Sequence, residues 1–368
     1  MKARNAVNFF VAVALLVGLF PTAIRAQYTR TDLTSNQAGV APNTNPELVN
    51  AWGLVQLRTS PIWLSDNGTG FSTLYKGSGL QLGLIVVVPG LGGAQGTPTG
   101  IVGNTGAGTD FVFSNPANGK SGRAIFIFAT LDGAIVAWNP QVGGMDQAGD
   151  SLATIPEGFQ PKPGASYTGL AIATDAQGQT FLYAADDSTN RQVDMYDGFF
   201  HLVKSFTDPA MPRNYTPYGI QEIDGPSGPQ IWVTFTALNK AQGGFVDVFN
   251  TDGTLAQHFA VHGPLHSPWG IAKAPADFGP MSNAILISNN TSRGRVNAFD
   301  ASGTFLGPLR DVNGNAIEID NLWGIQFGHD GGAANGGPQG TPHNSLFFTA
   351  GPNSYANGLF GVITPPGN

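Results

Sequence analysis

The segment PWGIAKAPADFGPMSNAILISNNTSRGRVNAFDASGTFLGPL, residues 268–309, holds four short strand signals in a row. Trp269-Gly270-Ile271 opens an apolar stretch and Ile285-Leu286-Ile287 forms a second. Arg295-Val296-Asn297-Ala298-Phe299-Asp300 then alternates, and alternation with period two marks a strand with one buried face. The turn Ala301-Ser302-Gly303-Thr304 leads into residues 305–309 as a hairpin would.

Outward from this segment, the aromatic-or-Thr, Gly, Leu/Ile mark recurs as Trp52-Gly53-Leu54, Thr99-Gly100-Ile101, Thr168-Gly169-Leu170, Tyr218-Gly219-Ile220 and Trp323-Gly324-Ile325. Each is followed by an apolar, β-rich run, and most by an alternating third segment such as Phe245-Val246-Asp247-Val248-Phe249. Six copies of about 50 residues, four strands each, predict an all-β, six-bladed β-propeller with four-stranded blades, the Gly-aliphatic strand innermost. Glycine suits that place because it lets strands approach closely around the axis. The sixth copy ends at its third strand, near Ile363, so its outer strand must come from elsewhere. Residues 28–34 alternate and precede the first copy, which predicts an N-terminal strand closing the ring in the last blade and one domain over 27–368. Residues 103–122 and 143–167 are long excursions from the pattern, either decoration or a binding lid.

Composition agrees with this architecture. Of 368 residues 51 are Gly, about twice the usual share, and only 11% are charged against a typical ~25%, which excludes a helix bundle or coiled coil. There is no cysteine, so thiolate chemistry, disulfides and Cys-ligated metals are excluded. Lys2 and Arg4, an apolar run over 9–20 and Ala26 predict a signal peptide over 1–26 and a secreted, extracellular or periplasmic product with no membrane span after cleavage. Loss of Lys2, Arg4 and Arg25 leaves 14 basic against 24 acidic residues, an excess that argues against nucleic acid as a partner.

Pro268-Trp269-Gly270-Ile271 with residues 295–300 resembles NHL-type repeats. Leu48-Val49-Asn50-Ala51-Trp52-Gly53-Leu54, the run from Trp63 through Gly70, Pro98-Thr99-Gly100-Ile101-Val102, the run from Pro268 through Ala276, and Phe347-Phe348-Thr349-Ala350-Gly351-Pro352 resemble an uncharacterised family of secreted bacterial six-bladed propellers. The resemblance covers essentially the whole chain after residue 26. It implies the fold and, since some relatives carry a PEP-CTERM sorting tail that this chain lacks, release rather than anchoring; it implies no reaction, and a monomer is expected.

In a propeller, the loops joining strand two to three and one blade to the next share one face. That face is expected to gather Asp66, Asn67, Asp132, Asp186, Asp187, Asn239, Asn289, Asn290 and Asn353, with His262 and His266 beside Trp269. Asp66, Asn67, Asp132, Asp186 and Asn289 are the candidate ligand-binding residues. Asp66, Asp186, Asp187 and Asn289 are candidate ligands of a hard cation such as Ca2+, which prefers oxygen donors, and His266 is the candidate catalytic base. Against this stands turn chemistry, since Asp and Asn favour β-turns for reasons of their own. Trp52, Trp269 and Trp323 are expected to pack between blades. Two functions stay open: an extracellular binding module for carbohydrate, protein or a small molecule, and a divalent-cation-dependent hydrolase or lactonase in which the cation polarises a carbonyl.

Overall fold

The computed structural model describes residues 27–106, 108–238, 243–332 and 334–367. The expected signal peptide and Asn239 lie outside the described residues. Six small sheets surround one axis. Blade I is Ala51–Val55, Ile62–Asp66, Phe71–Tyr75 and Gln81–Val87; blade III is Tyr167–Thr174, Thr180–Asp186, Gln192–Tyr196 and Leu202–Phe206. Blade IV is Tyr215–Gly225, Gly228–Ala237, Gly244–Asn250 and Leu255–Val261; blade V is Pro268–Lys273, Ile285–Asn289, Val296–Phe299 and Phe305–Pro308. Blade VI is Leu322–Phe327, Leu346–Ala350 and Leu359–Thr364, with Thr29–Ser35 as its outer strand. The N-terminal strand thus closes the ring as expected, antiparallel to Leu359–Thr364 with Thr29 opposite Thr364 and Ser35 opposite Leu359.

Blade II departs from the four-strand expectation. It has three strands, Pro98–Gly103, Phe126–Thr130 and Ile135–Trp138, because the following segment crosses to its neighbour. Ser151–Leu152 adds in parallel to the outer strand of blade I, and Trp138 Nε1 donates to Ser151 Oγ at 2.9 Å. The first excursion folds as the hairpin Val112–Asn115 with Lys120–Arg123; Phe111 and Phe113 enter the hydrophobic core between blades II and III. Both inserts are therefore built into the blade packing.

The recurrent glycine explains how the inner strands meet. A Cβ on Gly53 would lie 2.5 Å from Thr99 O in blade II, and one on Gly270 would lie 2.8 Å from Trp323 O in blade VI. Gly100, Gly169, Gly219 and Gly324 abut the next inner strand in the same way, Gly324 returning to Trp52 of blade I. In all six blades the pairing of inner and second strand also slips at this point, as between Pro217 and Ile220. A hydroxyl fills the gap: Thr234 Oγ1 accepts Gly219 N at 2.8 Å, and Ser288 Oγ accepts Gly270 N at 2.7 Å while donating to Trp323 O at 2.6 Å. Backbone groups that the ladder leaves unpaired are thereby satisfied.

Candidate functional site

The residues named from the sequence are spread over separate blades. Asp66, Asp186 and Asn289 close the second strands of blades I, III and V, and all three are buried. Asp186 is engaged by its own turn, Oδ1 accepting Ser166 N at 3.0 Å and Ser188 N at 3.1 Å, and Oδ2 accepting Asn190 Nδ2 at 3.0 Å. Asp66 Oδ2 accepts Thr73 Oγ1 at 2.6 Å, and complete burial pushes its carboxyl well above the usual range. Asp132 accepts Leu91 N at 2.6 Å and the Thr130 hydroxyl. Asn67 Oδ1 accepts Asn50 Nδ2 at 3.2 Å, and Asp187 N donates to Ser166 O at 2.9 Å. Asp66, Asp186 and Asp187 do not converge on one point. His266 and Asn289 do come together, in a groove of about 500 Å3 that also holds Arg293, Arg295 and Arg310. Glu318 occupies the basic groups there, 2.7 Å from Arg293 Nε and 2.5 Å from Arg295 Nη2, and they hold its carboxyl below the ordinary value.

The face expected to admit ligand is closed at the axis. Trp52, Tyr218, Trp269 and Trp323, from blades I, IV, V and VI, form one buried cluster across the channel. The tryptophans are thus packed in the core between blades as expected, and the blades meet through them at the axis. Trp52 stacks on Trp323 with ring centroids 3.6 Å apart, and Trp269 meets both edge-on at 6.2 and 5.8 Å. Such pairs contribute about 0.5–1.5 kcal/mol each beyond area burial. Blades II and III place Thr99 and Thr168 at the matching positions, and Thr168 O accepts Trp269 Nε1 at 3.0 Å. Two small residues make room for three indoles.

Below this plug a narrow space of about 30 Å3 runs between the inner strands, lined by Gly53, Gly100, Gly270 and Gly324. It widens at the opposite mouth into two cavities of about 350 and 400 Å3. Gln221, Glu222, Gln326 and His329 line both. Lys273 and Asp224 flank one; Arg58, Leu54, Ile101 and Ile172 flank the other. The positions follow from the repeat: Gln221 and Gln326 stand two residues beyond Gly219 and Gly324, where the other repeats have Val55, Val102, Ala171 and Ala272. Only blades IV and VI carry an amide there, a signal visible in the sequence that reasoning from loops alone missed.

Burial raises the Glu222 carboxyl to about 7, with the nearby charge of Asp224 adding to the effect. It therefore exchanges a proton near neutral pH. His329 is accessible to solvent yet set within the concave wall, and this desolvation lowers its pKa, keeping the ring neutral; Gln326 Nε2 lies 3.4 Å from its Nε2. Gln326 Oε1 is buried without a partner. The mouth thus combines two amides, an acid–base carboxyl and a neutral imidazole on an apolar floor.

A pH prediction arises here. A carboxyl with a raised folded pKa binds its proton more tightly in the folded chain, so its contribution to stability is complete below the ordinary value of 4.5 and is lost as pH rises to about 7. Glu222→Gln is expected to match the parent in stability near pH 4 and to exceed it at pH 8 by roughly 1 kcal/mol after screening by water in the mouth, read as a higher melting temperature. Equal melting temperatures at pH 8 in a scanning-calorimetry series would remove the shift.

No family model matches the chain. Two uncharacterised proteins of Acanthamoeba polyphaga mimivirus are similar to it, one 29% identical over 349 residues (90% of this chain, 78% of the relative), the other 28% identical over 346 residues (90% and 84%). Among solved structures, a streptogramin B lyase aligns with a TM-score of 0.50 and 12% identity over 92% of this chain and 97% of that one, a likeness of six-bladed propeller fold alone.

Proposed function

We propose that the protein is an exported binding module that takes a small, neutral, polar ligand of sugar size in the mouth lined by Gln221, Glu222, Gln326 and His329. The observation that carries this reading is the contrast between the two ends of the channel, one filled by aromatic rings and the other open and polar. Two carboxamides and a protonatable carboxyl offer donors and acceptors together, which suits hydroxyl groups. Leu54, Ile101 and Ile172 offer apolar surface to the C–H face of a ring. Each cavity has the volume typical of a small-ligand site, roughly 300–1,000 Å3. Carbohydrate is therefore favoured over a protein partner, which would engage a broader, flatter surface.

Saturation-transfer NMR with neutral mono- and disaccharides tests the reading. Transfer is expected to the intact protein and to be lost in Gln221→Ala with Gln326→Ala. Transfer that survives both changes unchanged would place binding elsewhere. A second reading, acid–base catalysis at the same mouth, is favoured by one observation, the Glu222 carboxyl near 7. Glu222→Gln keeps the shape, so under that reading the variant binds while turnover of the bound sugar disappears. Export is tested separately: the secreted protein is expected to begin at Gln27, and an intact Met1 in the cytoplasm would refute it.

A further inference from the structure

One polar position recurs in the third strands of blades III, IV and V, and the three blades resolve it differently. Asp194, Asp247 and Asn297 occupy it, opposite Ser205, His258 and Pro308 of their outer strands. In blade III the buried Asp194 carboxylate is met by Lys162 Nζ at 2.7 Å, from the segment leading into that blade's inner strand. In blade V the segment leading in presents Pro264, whose carbonyl accepts Asn297 Nδ2 at 3.0 Å. In each case the incoming segment supplies the complementary partner.

In blade IV the incoming segment supplies a second carboxylate. Asp208 is 5% exposed, and Asp247 is fully buried. Asp247 Oδ1 lies 2.9 Å from His258 Nδ1, while its Oδ2 is buried with no hydrogen-bond partner. Ligand atoms of Asp208, Asp247 and His258 all lie within 4.8 Å of one another. Among the described residues, no lysine or arginine forms an ion pair with either carboxylate. Two buried carboxyl groups facing each other without a cation are costly, and the preceding blade uses a lysine at this position.

We propose that Asp208, Asp247 and His258 hold a first-row divalent cation, best matched by Zn2+, that clamps the segment leaving blade III to the two outer strands of blade IV. The donor set argues for the ion: two carboxylate oxygens and one imidazole nitrogen suit zinc, with water as a fourth ligand, whereas Ca2+ takes 6–8 oxygens. Zinc–ligand bonds of about 2.0–2.2 Å require the three groups to draw together slightly. The His258 side chain is half exposed and belongs to an outer strand, so its ring can swing inward. Binding releases any proton shared between His258 and Asp247. The site is distinct from the channel mouth and does not depend on the function proposed for it.

The experiment takes the full exported chain after dialysis against EDTA and adds ZnCl2, with CaCl2 and MgCl2 as controls, reading isothermal titration and melting temperature. One zinc per chain is expected, with a melting temperature higher by about 5 °C at saturating metal. Asp208→Asn and His258→Gln are expected to weaken zinc binding at least tenfold. Asp208→Lys, which installs the cation used in the preceding blade, is expected to melt higher than the metal-free parent and to be indifferent to zinc. Absence of saturable zinc binding below millimolar concentration overturns the proposal, as does undiminished binding in Asp208→Asn and His258→Gln. An equal response to Ca2+ overturns the assignment of the donor set.

Discussion

Alanine at position 219 is expected to cost more than about 3 kcal/mol and to leave little soluble protein at 37 °C. Its Cβ would fall on Trp269 O, well inside van der Waals contact, with Trp269 Cα 2.9 Å away. The obstacle is backbone, which cannot rotate aside as a flexible side chain would. Relief requires parting blades IV and V at the axis, and that would disturb the Trp269 indole in the aromatic plug and the Gly219 N–H bond to Thr234. Overpacking of a dense interior typically costs 1–3 kcal/mol where side chains can adjust, and more where they cannot. Gly83→Ala is the control, since no atom lies within 4 Å of a Cβ there. Similar urea midpoints for the two variants would refute the close approach.

Deletion of residues 27–35 is expected to abolish cooperative folding. The segment buries Tyr28 completely and leaves Leu33 only 8% exposed, and it covers the whole outer edge of Leu359–Thr364. Tyr28 also joins blades V and VI: its hydroxyl donates to Phe278 O at 2.8 Å and accepts Met281 N at 2.9 Å, and its own N–H reaches Arg310 O at 2.7 Å. Burial raises that phenol to about 12, as befits a group that acts only as a neutral hydrogen-bonding partner. Without the segment, a row of strand donors and acceptors faces water and invites association. The milder Tyr28→Ala is expected to cost 3–5 kcal/mol and serves as a folded reference. A deletion that melts within a few degrees of the parent would show that the clasp is dispensable.

The ring and its closure were legible because each rests on a local rule. A Gly-aliphatic mark every 50 residues reflects a steric demand repeated at every blade, and a last repeat one strand short leaves a single strand-like segment to complete it. The shortage of strands in blade II was not legible: Ser151–Leu152 is two residues long and pairs with blade I, while Thr154 just beyond it exchanges both backbone hydrogen bonds with Ala137 of blade II. The candidate site was read from the polar loops, whereas the cavities lined by Gln221, Glu222, Gln326 and His329 lie at the other end of the channel. Asp186 and Asp132 were visible as loop residues, and their carboxylates accept backbone N–H groups, from Ser166 and Ser188 for Asp186 and from Leu91 for Asp132.

The sequence by itself determined the number of blades, the inner-strand glycines and the N-terminal clasp, since periodicity and glycine sterics act within a few residues of the chain. Only the tertiary structure decided which end of the channel is open. Trp52, Tyr218, Trp269 and Trp323 lie up to 271 positions apart and meet solely because the ring brings four blades to one axis. Glu222 and His329 acquire their altered acidities from that same enclosure, and Asp208 faces Asp247 because one blade delivers its loop to the next. Desolvation and convergence belong to the assembled toroid, and no stretch of chain carries them alone.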